Sequence, residues 1–254
     1  MPWNPDVYNK FKTERYAPFY DLLGLVTVKK GLSVADLGCG IGELARKLAD
    51  TLPESQVTGV DASAEMLAKA AVFADERLHF IQQSVEDTIE QGNKYDLVFS
   101  NAAMQWIGDH VKLFPRLISL VKEGGQLAVQ VPSNDDNISH VAIRQLATQE
   151  PYRTALKGWI RTSPVLPIEQ YAQLLFANGG HDITVFEKVY PHILENAAAV
   201  AQWTSGSTQV PYMEKLPEEL RESFAKDYLA LLENAMPGSP VLYTFKRKLI
   251  VASF

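Results

Sequence analysis

Residues 35–42 read Ala-Asp-Leu-Gly-Cys-Gly-Ile-Gly, three glycines at alternate positions with Asp36 just ahead of them. Glycines so spaced let a backbone turn tightly and approach a ligand with no Cβ in the way. A pyrophosphate suits such a loop poorly. The third glycine of G-x-G-x-x-G is missing, and the charge on Asp36 would repel phosphate. A ligand carrying an ammonium group fits better. Asp61 ends the next apolar run, where a carboxylate can accept from both hydroxyls of a ribose. The competing reading is a helix cap, a task for which Ser63 is better placed. In Ser-Asn-Ala-Ala-Met-Gln-Trp (100–106), Gln105 and Trp106 offer amide and indole N–H groups that can donate to a carboxylate. Trp106 also reads as a packing residue. Cys39, the single cysteine, has no histidine near it in sequence and reads as a buried filler rather than a nucleophile. His79, His110, His140, His181 and His192 form no H-x-H or H-x-x-x-H pair, so no metal is expected.

The runs that must position these residues alternate in type. Strands are expected at 32–38, 55–61, 77–83, 95–101 and 126–132, the fourth apolar enough to be buried on both faces. Helices are expected at 41–52, where Leu44, Leu48 and Leu52 form a stripe, after the cap Ser63, and at 109–121, where Pro115 predicts a local irregularity. Gly124 and Gly125 read as a turn. This alternation predicts an α/β fold, a doubly wound, mostly parallel sheet whose crevice lies beyond the carboxyl ends of the strands. After Pro132 the pattern turns helical, broken by Pro151, Pro164 and Pro167, with strands resuming at 181–190 and 241–254.

Composition bounds the rest. The chain has 254 residues, 46% apolar and 21% charged, which is ordinary for a soluble protein. No apolar run approaches the ~18–20 residues that span a bilayer. The polar start, MPWNPDVYNKFKTER, has no apolar stretch of the signal-peptide kind, so a cytoplasmic location is the default expectation. A net charge of −6 gives no basic face for nucleic acid and no attraction to an acidic membrane.

The glycine loop, Asp61 and SNAAMQW together resemble the class I S-adenosylmethionine (SAM) methyltransferases over residues 32–132. That resemblance implies a Rossmann-like, seven-stranded sheet with a helical lid. It implies 1–30 as N-terminal helices covering the cofactor and 31–135 as the SAM-binding core. The lid would be 136–240, with a core strand interposed near 181–190, and 241–254 the closing strand. It also implies that Gly38 and Gly40 pass the methionyl part of SAM, with Asp36, Cys39 and Asn101 in the same cofactor set. Asp61 would hold the ribose, with Ala62 and Met66 beside the adenosine. Ser84 stands where the family often carries an adenine-binding aspartate, so Ser84 and the backbone of Val85 are expected there; Asp87 is the alternative. Tyr8 and Phe11 would cover SAM. Arg15 would pair with its carboxylate, unless it is a solvated helix charge.

WNPDVYNKFKTER, SNAAMQWIGDH, LAVQVPSN and FKRKLIVA are further similar to the trans-aconitate methyltransferases, nearly end to end. This implies methyl-ester formation on a small carboxylic acid, with Gln105 and Trp106 as the residues that align it. Arg144, Arg161 and Arg247 are candidates for an anionic substrate, although each alone reads more readily as a surface charge. His140 could reach the active site from the start of the lid, but reads more readily as a half-exposed helix residue. Ala17 and Val210 stand where that family commonly carries arginine. A second near family methylates a malonyl group on an acyl carrier protein. Its partner would need basic residues, which Lys157, Arg161, Lys246, Arg247 and Lys248 could supply.

Overall fold

The structure, a computed structural model, describes residues 12–254, with side chains from Tyr16 onward. Tyr8 and Phe11 lie outside the described residues, as does the side chain of Arg15. The chain forms two compact units. The sheet unit comprises Tyr16–Ser133, Pro164–Lys188 and Arg247–Phe254; the helical unit contains Asn134–Ser163 and Val189–Lys246.

The strands are β1 (Ser33–Leu37), β2 (Gln56–Asp61), β3 (Leu78–Gln82), β4 (Tyr95–Asn101), β5 (Val121–Pro132), β6 (His181–Leu194) and β7 (Val241–Ser253). They form one sheet in the order β3-β2-β1-β4-β5-β7-β6. β3, β2, β1, β4 and β5 are parallel, and β7 runs antiparallel to β5 with Gln130 opposite Leu249. Chain order reverses between β1 and β4, which places the crevice above their carboxyl ends.

The helices of this unit are α1 (Lys12–Leu23), α2 (Glu43–Thr51), α3 (Ala64–Ala70), α4 (Val85–Gln91), α5 (His110–Ile118) and, after the first helical excursion, α8 (Ile168–Ala177). Strand alternation sends Val34, Leu97, Phe99, Ala128, Leu249 and Val251 to one face, where Phe19 and Leu22 of α1 and Leu48 of α2 bury against them. Ala35, Val98, Leu127 and Val129 face the other way, toward Ile89 of α4, Phe114 of α5 and Leu175 of α8. Both faces of β4 are therefore apolar, as its unbroken run predicted.

Three local details go beyond the expected elements. Residues 85–91 form a helix, because Ser84 accepts from the N–H of Asp87 and two acids occupy the first turn. Gly124 and Gly125 lie within a β5 that starts at Val121, and the ladder to β4 shifts register between Tyr95 and Leu97. Pro115 is carried inside α5 without ending it.

The helical unit contains α6 (Ile138–Ala147), α7 (Tyr152–Ala155), α9 (Ala197–Ser205), α10 (Val210–Lys215) and α11 (Glu218–Ala235). Its own core joins Ile143 and Leu146 of α6, Trp203 of α9, Tyr212 of α10 and Phe224 and Tyr228 of α11. Among the described residues, no helix is long and apolar enough to cross a membrane.

Candidate active site

β1 ends at Leu37 and the chain turns through the glycines into α2. Gly38 and Gly40 both have positive φ, +78° and +56°. Their environments differ. A Cβ on Gly38 would stand 2.2 Å from the Cβ of Ala103, so only hydrogen fits there. A Cβ on Gly40 would meet nothing within 4 Å, which leaves an open approach to the backbone.

Asp61 braces this turn from β2. Its Oδ2 accepts from the Gly40 N–H and its Oδ1 from the Ser63 N–H, both at 2.9 Å. Ser63 caps α3, accepting from the Met66 N–H at 3.2 Å, so the two readings of Asp61 resolve into a division of labour. Each carboxylate oxygen has about two acceptor positions, and one on each is left. Asp36 is 4% exposed; burial, reinforced by the charge of Asp61, raises its carboxyl to about 7. A carboxyl so placed is stabilised as the anion by an incoming cation. Burial and the same two carboxylates push the Cys39 thiol up, which keeps it protonated near neutrality and unfit as a nucleophile.

Past β4, Ala102 has φ +56°, a left-handed conformation that costs a non-glycine residue roughly 1–2 kcal/mol. Its N–H donates to the Gln130 carbonyl at 2.9 Å. A single 3₁₀ turn, Met104–Trp106, follows. Gln105 is 9% exposed; its Nε2 donates to the Ala102 carbonyl at 2.6 Å, while Oε1 has no partner. One amide N–H is thus spent on the turn and one remains. Trp106 is 56% exposed.

His110, 1% exposed, locks this turn from below. Burial lowers its pKa. Nε2 lies 3.0 Å from the Met104 carbonyl and must carry the proton, so Nδ1 accepts from the hydroxyl of Tyr171 on α8. Sequence reading had no signal for this pair beyond a histidine with no metal partner.

The remaining expected cofactor residues lie at the carboxyl ends of neighbouring strands. Ala62 follows β2, its carbonyl accepting from Gln82 Nε2 at 3.4 Å, and Met66 is half-buried on α3. After β3, the Ser84 hydroxyl caps α4 and Val85 is buried beside it. Asn101 ends β4, its Oδ1 buried without a partner.

Arg144, Arg161 and His140 belong to the helical unit. His140 bonds Ser139 Oγ through Nδ1 and Thr208 Oγ1 through Nε2, each at 3.1 Å. Burial, with the Arg144 and Arg161 charges, holds its pKa down at about 4. The Arg161 N–H donates to the Tyr212 hydroxyl at 3.3 Å, and Arg144 is half-buried against Asp135. Among the described residues, no group of three acidic, histidine or cysteine side chains could hold a metal.

A sheet in this order, with a glycine turn after its first strand and an acid after its second, defines a SAM-dependent methyltransferase of the Rossmann-like class. Residues 28–180 match the methyltransferase domain model. The chain is 41% identical over 259 residues to the trans-aconitate 2-methyltransferase of Deinococcus radiodurans, covering 100% of this chain and 98% of the relative. Against that of Paracidovorax citrulli it is 38% identical, with 98% and 97% covered. In fold it is similar to Haemonchus contortus phosphoethanolamine N-methyltransferase 2 in complex with SAM: TM-score 0.54, 21% identity, 93% of this chain and 51% of that one. The chain belongs to the trans-aconitate 2-methyltransferase family, and its cofactor is SAM.

Proposed function

We propose that the chain methylates one carboxylate of a small di- or tricarboxylic acid, giving a methyl ester. The observation that carries this reading is the 41% identity, end to end, with a protein named for trans-aconitate. SAM, when bound, supplies a methyl group activated by a sulfonium. The residues fit it: open space above Gly40, half-used acceptors on Asp61, and an unpaired amide oxygen on Asn101.

In this reading Gly38, Cys39 and Gly40 border the methionyl part, with Asp36 and Asn101 toward its ammonium group. Asp61 accepts from the ribose, Ala62 and Met66 flank the adenosine, and Ser84 and Val85 face the adenine. Gln105 and Trp106 orient the acid; the free N–H of Gln105 is the donor aimed at it. A carboxylate is ionised at pH 7, its reference pKa being ~4, so no side chain has a proton to take. The chain contributes alignment and exclusion of water. His140, held neutral at about 4, adds no charge near pH 7.

Ala17 and Val210 remove two cations that the resemblance expects, which favours an acid with fewer carboxylates. Two of the lysines that a carrier protein would need are engaged: Lys246 with Asp136 at 2.5 Å and Lys248 with the Leu166 carbonyl at 2.8 Å. A free acid is therefore the better reading than a carrier-linked malonyl group.

The test is labelled-methyl transfer from SAM to a panel of di- and tricarboxylates, trans-aconitate included, and to malonyl carrier protein. A free-acid ester is expected, with a single-turnover rate nearly flat between about pH 6 and 8. A steep rise on one group near pH 7 would instead point to a hydroxyl or amine acceptor. Val210→Arg should raise trans-aconitate turnover. Efficient wild-type turnover that this change abolishes would move the cation elsewhere, Arg161 first.

A further inference from the structure

Gln130 lies near the end of β5 and is 0% exposed, yet neither atom of its carboxamide has a hydrogen-bond partner. A buried amide atom left unpaired is destabilising, so such a group needs either an explanation or a ligand.

Its position supplies the explanation. Alternation along β5 puts Gln130 on the same face as Ala128, the face that carries Val34, Leu97, Phe99, Leu249 and Val251. By the same alternation, Asp36 on β1, Asn101 on β4 and Arg247 on β7 share that face. Gln130 is level with Asn101 on one side and Leu249 on the other, two residues from Arg247 along β7. Where the apolar rows of four adjacent strands end, a polar row begins. It runs from a carboxyl at β1, through two amides, to a guanidinium at β7.

The row has a direction. Its acidic end suits an ammonium group, and its basic end suits an anion. The strands bearing Asp36 and Gln130 are two spacings apart, about 10 Å. That sets the ammonium-binding end of the row apart from the amide end, which suits a separate anion.

Resting on the reading of a polycarboxylic acid as substrate, we propose that Gln130 and Arg247 form the subsite for the carboxylate that is not methylated. Nε2 of Gln130 and the Arg247 guanidinium donate to it, and the Gln130 amide oxygen takes a water that enters with the acid. Gln130 then sets specificity for acids with a second carboxylate.

The experiment is calorimetric titration of trans-aconitate, and of crotonate as a monocarboxylate, into the full chain saturated with S-adenosylhomocysteine. Q130L should bind trans-aconitate at least about tenfold more weakly than wild type, with crotonate and S-adenosylhomocysteine affinities within about twofold. Q130E should weaken trans-aconitate further, because two anions then face each other. The melting temperature of Q130L should be unchanged or higher, since an apolar side chain replaces an unpaired buried amide. Unchanged trans-aconitate affinity in Q130L, a parallel loss of S-adenosylhomocysteine, a clear fall in melting temperature, or no trans-aconitate binding by wild type would each overturn the subsite. The two readings separate cleanly. If wild type methylates no acid but Q130L still loses trans-aconitate, the ester-forming reading fails and the subsite stands. If transfer proceeds and Q130L binds normally, the subsite fails alone.

Discussion

Buried polar side chains are treated oppositely in the two units. In the helical unit they close on one another. Ser139 Oγ bonds the Tyr243 hydroxyl at 2.9 Å, the Tyr228 hydroxyl donates to the Ser139 carbonyl at 3.2 Å, and Thr204 meets Tyr228 at 3.2 Å. Gln209 then donates to the Ala201 carbonyl at 2.7 Å. Among the described residues of that unit, Asn134 Nδ2 is the one buried side-chain nitrogen or oxygen without a hydrogen bond. At the carboxyl ends of β4 and β5, by contrast, Asn101, Gln105 and Gln130 each keep a buried amide atom unpaired. A closed network rigidifies a core; an open one lowers stability and retains the capacity to bind. The difference lies in unmet hydrogen bonds rather than in residue type, since asparagine, glutamine and hydroxyl side chains occur in both units.

The comparison breaks most readily at the glycine turn. Gly38→Ala adds left-handed strain of ~1–3 kcal/mol and an overlap with Ala103 of similar size, ~1–3 kcal/mol. Denaturant melts should show a loss of several kcal/mol, with S-adenosylhomocysteine binding abolished. Adding Ala103→Gly should recover the overlap part and leave the strain. Full recovery would show that the conformation itself is not demanded.

Asp61→Ala comes next. It removes the acceptors for Gly40 and Ser63 and, on the proposed reading, for the ribose, so S-adenosylhomocysteine affinity should fall by roughly 1–3 kcal/mol or more in calorimetry. Unchanged affinity would remove Asp61 from the cofactor site.

A smaller effect tests the closed side of the contrast. Tyr228→Phe deletes two bonds in the helical core and should cost about 1 kcal/mol of unfolding free energy. Gln130→Leu, in the open set, should cost none. Equal losses at both would erase the distinction.

The smallest effect is a fraction of a proton. With its carboxyl raised to about 7, Asp36 is largely protonated at pH 6 in the free protein. Its folded pKa lies above the unfolded value of 3.8, so its contribution to stability is fully present below about pH 4 and is lost as pH rises through 7. An ammonium ligand favours the anion, so cofactor binding near pH 6 should release up to about one proton. Calorimetry in buffers of different ionisation enthalpy reads this release, and Asp36→Asn should abolish it.

Much of this was legible in sequence, for reasons that differ by residue. β4 is unbroken over Tyr95–Asn101 because an interior parallel strand is apolar on both faces, a signal that survives without neighbours. Ser63 was legible because a cap depends on residues three positions apart. The insertion of β7 between β5 and β6 was not, since strand order depends on pairing across 115 or more residues, as Gln126 with Ser253 shows. Gln130 looked like one polar residue in a strand; its burial and missing partners exist only once Asn101 and Leu249 flank it. His110 passed as a non-metal histidine because Tyr171 lies 61 residues away.

Ala102 holds a further consequence. Its methyl group makes the left-handed turn after β4 uncomfortable, yet the Gln130 carbonyl keeps its N–H there. Glycine at this position would relax the turn and widen the range of backbone shapes open to it. The methyl group therefore narrows the backbone shapes open to the segment that joins Asn101 to Gln105.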